Sequence, residues 1–313
     1  MHIGINGTGL VQRASIDAVV EHATQAAADG FSSYWLAEHP TGGFDALTVL
    51  TVVGIRVPGI ELGTAIVPTM PRHPMVLAGQ ALTTNAAIGG RLTLGIGLSH
   101  APMMAQLGIG FDKPIRHLRE YLSVLMPLLE EGAVKFSGET ISCDAQLFKR
   151  ADKRCSVVVA ALGPQALAVT GARADGTTLA WVGPRTIRNH IVPTLNTAAS
   201  AAGRPAPRII ATLPVCVTND AAKVRALIDK NLTMYGKLPS YRAMFDREGV
   251  EGPSGVAIVG DEDAVIRQID ALRDAGVSDF TPSEFTPSAE ERVRTRALLK
   301  SLVSYSSDNH QLN

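Results

Sequence analysis

Cysteine is scarce in this 313-residue chain: Cys143, Cys155 and Cys216 stand far apart, in no C-x-x-C or metal-knuckle spacing. A disulfide framework and a zinc site are thereby excluded as organising features, and the thiols read as reduced. No apolar run approaches the ~20 residues of a membrane-spanning helix, and the N-terminus enters a strand at His2-Ile3-Gly4-Ile5 without the basic and apolar regions of a leader. The expectation is a cytoplasmic protein with no membrane partner. Charge of one sign is also lacking, because 29 Lys and Arg balance 29 Asp and Glu. Nothing in the whole-chain charge favours nucleic acid, and an anionic ligand has to be met by a local cluster.

What is present is rhythm. Apolar runs of strand length alternate with helical patterns: strands near 2–7, 33–37, 61–67, 92–97, 156–161, 176–181, 208–217 and 277–281, separated by amphipathic helices. In the first helix Ile16, Val19, Val20, Ala23 and Ala27 share one face, and Gly30 ends it. Near-continuous apolar strands, each followed by a helix, indicate a parallel sheet closed on itself, an α/β (β/α)8 TIM barrel, as one domain over 1–313. Two stretches break the rhythm and read as insertions. One, near 132–150, holds a small hairpin turning at Ser137-Gly138; the other, near 236–255, is a lid or surface excursion. The terminal helix is expected over Ser288–Leu302, with a frayed tail from Ser306. An open, doubly wound sheet is disfavoured because no strand leads into a clean G-x-G-x-x-G with an acidic residue ~20 positions on.

In a barrel the residues just past the strand ends share one mouth. His39, His73 and His100 all fall there, after successive strands. The loop Val67-Pro68-Thr69-Met70-Pro71-Arg72-His73-Pro74 is stiffened by three prolines and suits the wall of a flat ligand. Gly95-Ile96-Gly97 permits close approach of backbone to ligand. At Ala161-Leu162-Gly163-Pro164-Gln165 a helix starts on Pro164, so its amide groups and dipole offer a place for phosphate. Arg185 and Arg188, after Trp181-Val182-Gly183-Pro184, are the nearest cations.

Taken in order, Gly30-Phe31, Trp35, Glu38-His39, Leu62-Gly63-Thr64-Ala65, Arg72-His73-Pro74, Gly89-Gly90-Arg91-Leu92, Gly95-Ile96-Gly97, Ala174-Asp175-Gly176 and Gly260-Asp261 resemble the bacterial luciferase-like monooxygenase superfamily. Within it the chain is most similar to the coenzyme F420-dependent oxidoreductases. That resemblance implies a barrel holding a deazaflavin ring at its C-terminal mouth. Glu38 would line the ring face. Thr64-Ala65 would form a bulge, often with a non-proline cis peptide, behind the ring. Gly97, Leu98 and Ser99 would touch the ring edge or ribityl chain, and Leu162, Gly163 and Pro164 the tail phosphate. Where sugar-phosphate dehydrogenases of this branch carry a glutamate after the Gly-x-Gly, this chain has His100, which argues against glucose 6-phosphate.

The resulting expectation is an oxidoreductase moving hydride between F420 and a small organic substrate, with His39 and His100 as proton carriers. Phe44, Met70, Met103 and Trp181, with Met104, would form an apolar substrate pocket. The same fold also serves FMN-dependent monooxygenases. A metal-dependent hydrolase using Glu38, His39, His73 and His100 is a further reading, weakened because the first strand lacks the paired histidines of such enzymes; no metal is expected. A non-catalytic cofactor-binding barrel remains a fourth. A homodimer is expected from the apolar helices after the first three strands.

Overall fold

The computed structural model describes residues 1–11, 14–149 and 152–308. Strand β1 runs as His2–Ile3 and Ile5–Asn6, followed by β2 (Ser33–Leu36), β3 (Glu61–Thr64), β4 (Leu92–Gly97), β5 (Ser156–Val159), β6 (Gly176–Ala180), β7 (Arg208–Thr212) and β8 (Asp279–Phe280). All neighbours pair in parallel, and β1 closes the ring: His2–Ile3 pairs with β8 while Ile5–Asn6 pairs with β2. The break falls at Gly4, where a Cβ would lie 2.6 Å from the Ser33 carbonyl oxygen. The outer helices are α1 (Ile16–Ala28), α2 (Ala46–Arg56), α3 (Pro74–Ala87), α4 (Pro114–Glu130), α5 (Pro164–Arg173), α6 (Val192–Ala201), α7 (Glu262–Asp274) and α8 (Ala289–Asp308). The expected barrel is thus the observed one.

Two layers of side chains fill the ring below the mouth. Successive residues of a strand face opposite sides, so every second one points inward. At the N-terminal ends of the strands, Arg208 donates to Glu61 at 2.9 Å and to Asp279 at 2.8 Å, and the Thr93 hydroxyl donates to Glu61 at 2.6 Å. Above this ionic floor, Trp35, Val158 and Ile210 form an apolar cluster separate from the main core, with Ala65 packed on it. The main core lies outside the ring, between strands and helices.

Local chemistry explains the corners. Gly89 and Gly90 adopt φ of 73° and 82°, the left-handed region that glycine enters freely. They turn α3 into β4, and Arg91 reaches back to donate to the carbonyls of Gly54, Ile60 and Ile88. In α1 the buried face is Val19, Val20, Ala23 and Ala26, one position from the expected Ala27.

Several boundaries differ from the sequence reading. The expected strand 208–217 is two: after β7, Leu213 carries the chain out of the ring, and Pro214–Val217 joins a small parallel sheet with Ile258–Gly260 and Ser283–Glu284. The second excursion is larger than 236–255, a run of short helices from Ala221 to Val256. Helix α8 extends to Asp308, and the remainder of the expected tail, 309–313, lies outside the described residues. The hairpin pairs Ala133–Ser137 with Ser142–Gln146, so its turn is Gly138–Ile141 and not Ser137-Gly138 alone.

That turn is held by one carboxylate. Glu120 of α4 is buried and accepts from the amides of Glu139, Thr140 and Ile141 and from the Thr140 hydroxyl, at 2.6 to 3.1 Å. Burial opposes its ionisation, but the Thr140 and Ile141 hydrogen bonds dominate and hold its pKa below the ordinary 4.5. A depressed folded pKa gives stability that is present above the unfolded value and lost as pH falls through the folded one. Glu120→Gln should therefore lower stability by about 2 kcal/mol at neutral pH. The difference between the two proteins in denaturant titrations should shrink as pH falls below 4.5 and vanish only below the depressed folded pKa, where the wild-type carboxyl is itself protonated.

Candidate functional site

The upper layer of the barrel is built from small residues. Inward positions at the C-terminal ends of the strands are Ala37, Ala65, Gly97, Ala160, Ala180 and Thr212, where a filled barrel carries bulky branched side chains. The result is a cavity of about 960 Å³ at the mouth, roofed in part by residues 232–241 of the second excursion. Trp35 is its floor. A Cβ on Gly63 would lie 2.2 Å from the indole, so only glycine lets that ring lie across the barrel.

The bulge after β3 is present. The peptide between Ala65 and Ile66 is cis. Thr64 is fully buried behind it; its hydroxyl donates to the Gly95 carbonyl and accepts from the Gly95 amide, both at 2.7 Å. Gly95 is required there, since a Cβ would fall 1.8 Å from the Thr64 carbonyl oxygen. Ala65 and Ile66 face the cavity, while Thr64 fixes them from outside it.

Of the residues expected at the site, Glu38, His39, Ala65, Gly97, Leu98, Ser99, His100, Met103, Leu162, Gly163 and Trp181 line this one cavity. Four do not. Phe44 is 37% exposed at the surface, Met70 sits in the Pro-rich loop off the cavity wall, Thr64 lies behind the bulge, and Pro164 is one step inside α5. Met104 is fully buried in the protein and His73 caps α3, accepting from the Met75 amide. The spacing that placed Phe44 and Met70 near the mouth says nothing about which way a loop turns its side chains.

The electrostatics of the mouth are quiet. Arg72 bridges Glu38 and Asp45, so the half-buried Glu38 carboxylate is balanced where it stands. Burial pushes the Glu38 carboxyl up against the opposing pull of Arg72. Burial likewise lowers the pKa of His39, and that of His100, which the charge of His39 lowers further. Both imidazoles are neutral at pH 7, and neither ring has a protein hydrogen-bond partner among the described residues.

Two helices begin at the mouth on a Gly-Pro pair, and they differ. At Gly183-Pro184 the carboxylate of Glu248 accepts from the amides of Arg185 and Thr186, at 3.1 and 2.7 Å. At Gly163-Pro164 no side chain among the described residues caps α5, and a Cβ on Gly163 would meet nothing within 4 Å. The first is filled by the protein itself; the second is open toward the cavity. His190 lies 2.8 Å from the Leu162 carbonyl through Nε2, which must carry the proton there. Sequence reasoning missed the small inward residues, although reading every second position of the strand ends would have found them. It also missed Tyr235 and Tyr241, which reach the cavity from the second excursion.

Among the described residues no group of three or more His, Cys, Asp or Glu is placed to hold a metal ion, and no helix is long and apolar enough to cross a membrane. The metal-hydrolase reading thus finds no ligand cluster in the geometry. Since His39 holds the His100 pKa down, His39→Gln should raise it, and both rings should titrate below 6.5 in the wild type. Following the eight histidines by proton-nitrogen NMR checks both statements; an unmoved His100 would show that the rings do not interact.

Residues 2–279 match the family described as luciferase-like monooxygenase. The 5,10-methylenetetrahydromethanopterin reductase of Archaeoglobus fulgidus is 28% identical over 149 residues, 47% of this chain and 44% of that protein. That alignment spans less than half of the relative's length. The F420-dependent glucose-6-phosphate dehydrogenase of Nakamurella multipartita is 27% identical over 77% of this chain and 74% of its own. Among solved structures, the coenzyme F420-dependent tetrahydromethanopterin reductase of Methanopyrus kandleri superposes with a TM-score of 0.79 over 96% of both chains, at 21% identity. A shared barrel fold and a match over residues 2–279 lead to one conclusion: the chain belongs to the luciferase-like monooxygenase family.

Proposed function

We propose that the protein is an oxidoreductase that uses coenzyme F420 to move a hydride to or from a small organic substrate, within one continuous domain over 1–313. The observation that carries this is the pairing of a cavity emptied by small residues with an uncapped helix start on its wall, a space for a tricyclic ring beside a place for its phosphate. F420-dependent names among the relatives support the deazaflavin over FMN. Ala65 and Ile66 would back the ring, Gly97, Leu98 and Ser99 would border it, and Leu162, Gly163 and the α5 amides would hold the tail. Bound there, the coenzyme supplies the hydride chemistry.

The chain's own residues do the rest. His39 and His100, kept neutral by burial, each present a free ring nitrogen that holds or releases the proton accompanying hydride transfer. Arg72 anchors Glu38 and with it the backbone that carries His39. The apolar walls exclude water and thereby protect the reduced centre. Free cysteines, two of them buried, suit a cytoplasmic enzyme.

Titration of purified protein followed by absorbance should give F420 binding at micromolar affinity or better and much weaker FMN binding; the reverse preference would replace this reading by the FMN monooxygenase. Gly163→Asp provides a second test. Asp suits the extended N-cap geometry found there and should stabilise α5 by a few tenths of a kcal/mol over glycine, with the helix dipole adding about 0.3–1 kcal/mol. It would also fill the open helix start as Glu248 fills its neighbour, so the melting temperature should rise while F420 affinity falls by about tenfold or more. Unchanged affinity would place the phosphate elsewhere.

We also infer a homodimer. On the outer faces of α2 and α3, Ile55 and Val76 are 66% and 56% exposed, apolar surface that a second copy would cover. Light scattering on the eluting protein should give twice the chain mass, and a single-chain mass at micromolar concentration would remove the dimer.

A further inference from the structure

Four aromatic rings form a continuous row across the cavity mouth. His100, after β4, lies 5.5 Å from Tyr241; Tyr241 lies 5.5 Å from Tyr235; and Tyr235 lies 5.0 Å from Trp181, after β6. All four line the cavity. In a chain with five tyrosines and two tryptophans, three of those residues are gathered here.

The row is held at both ends by unusual backbone. Trp181 itself and Ser99, the neighbour of His100, adopt φ of 63°, the left-handed region that costs a non-glycine residue about 1–2 kcal/mol. Such conformations persist where surrounding structure enforces them, and they gather at ligand clamps. The middle of the row comes from the short helices Thr233–Lys237 and Pro239–Glu248, which fold over the mouth from the far side of the barrel. Its ends follow β4 and β6, so the α5 start after β5 lies between them, and Tyr235 and Tyr241 span that interval from the second excursion.

Its chemistry is that of a stacking surface with two hydrogen-bond donors. Neither phenol hydroxyl has a protein partner among the described residues. Burial raises both phenol pKa values, so each keeps its proton. Of the described residues lining the cavity, only Glu38 and Lys237 carry full charge at neutral pH; Glu38 is balanced by Arg72, and Lys237 is exposed at the rim.

We propose that the row from His100 through Tyr241 and Tyr235 to Trp181 is the substrate-binding wall and that it selects a flat, uncharged, aryl-conjugated carbonyl compound. The ring system stacks on the row, and the carbonyl oxygen accepts from a phenol. Resting on the reading of the mouth as a redox site, this assignment deepens it: the substrate is held with its reactive end toward His100. Aromatic stacking rewards a planar π-system and gives little to a puckered saturated ring of the same size.

The test uses 1-tetralone and its saturated counterpart 1-decalone, titrated against the full chain with binding read from tryptophan fluorescence. Trp181 lines the cavity whereas Trp35 is fully buried below it, so the part of the signal that Trp181→Phe removes is the part that reports the row. The wild type should bind the aryl ketone about tenfold more tightly than the decalone, and Tyr235→Leu and Tyr241→Leu should each remove most of that preference. F420 affinity, measured separately by absorbance, should stay unchanged in both. Equal binding of the two ketones, or leucine variants that keep the preference, would overturn the proposal. Should the leucine variants fail to fold, Tyr235→Phe and Tyr241→Phe retain the rings and must retain the preference; its loss there would equally refute stacking. Ketone preference without F420 binding would sink the coenzyme reading and leave the wall standing, while F420 binding without the preference would do the opposite.

Discussion

The mouth of this barrel stands on the indole of Trp35. A TIM barrel ordinarily fills its interior with layers of branched side chains, and here one large flat ring occupies most of the middle layer. It fits because its neighbours give way: Gly63 has no Cβ to meet it, and Val158 and Ile210 close the remaining space. The indole N–H is satisfied within the barrel by Ser33 Oγ at 2.8 Å, so nothing polar is left to draw the ring upward. With that layer sealed and the Arg208 ion pairs sealing the end below, the upper layer is relieved of packing duty and can be alanine and glycine. A cavity at this height is therefore a consequence of what lies beneath it.

The same logic governs charge. A cavity lined by uncompensated groups would fill with water and counter-ions, but among the described residues each strong group near this one has a partner, save Lys237, which stands exposed at the rim. Arg72 answers both Glu38 and Asp45, Glu248 occupies the Gly183-Pro184 helix start, and His190 is committed to Leu162. What is left unanswered is selective: two neutral imidazoles, two phenols and the uncapped start of α5. Those are the groups a ligand has to meet.

Much of this was legible in the sequence, for a physical reason. The alternation of strand and helix is a local property, and so is the Gly-Gly-Arg corner; the Thr64-Ala65 bulge came only with the family resemblance, since Gly95, which fixes Thr64, lies on the next strand. Resemblance to the luciferase-like family supplied the roles that spacing alone could not. What escaped was assembly over distance. Tyr235 and Tyr241 lie more than a hundred positions after His100 and reach it only because the chain leaves the ring at Leu213 and folds back as short helices. No periodicity marks such helices as facing a cavity. The errors at Phe44 and Met70 have the converse origin: both stand close in sequence to residues of the mouth, yet their loops turn them away from it.

Positive φ offers a route from backbone to function that needs no side-chain pattern. Three non-glycine residues adopt it among those described: Ser99, Lys113 and Trp181. Lys113 precedes α4, where an exposed turn accommodates it and its ammonium pairs with Glu139. Ser99 and Trp181 have no such exposed setting; they follow β4 and β6 directly, on either side of β5. Relaxing either to an ordinary extended conformation would redirect the chain leaving its strand and pull one end from the aromatic row. Glycine at either position would relieve the backbone, but at 181 it would delete the ring and at 99 it would loosen the segment that aims His100. The unfavourable backbone is retained because the position of the rings depends on it.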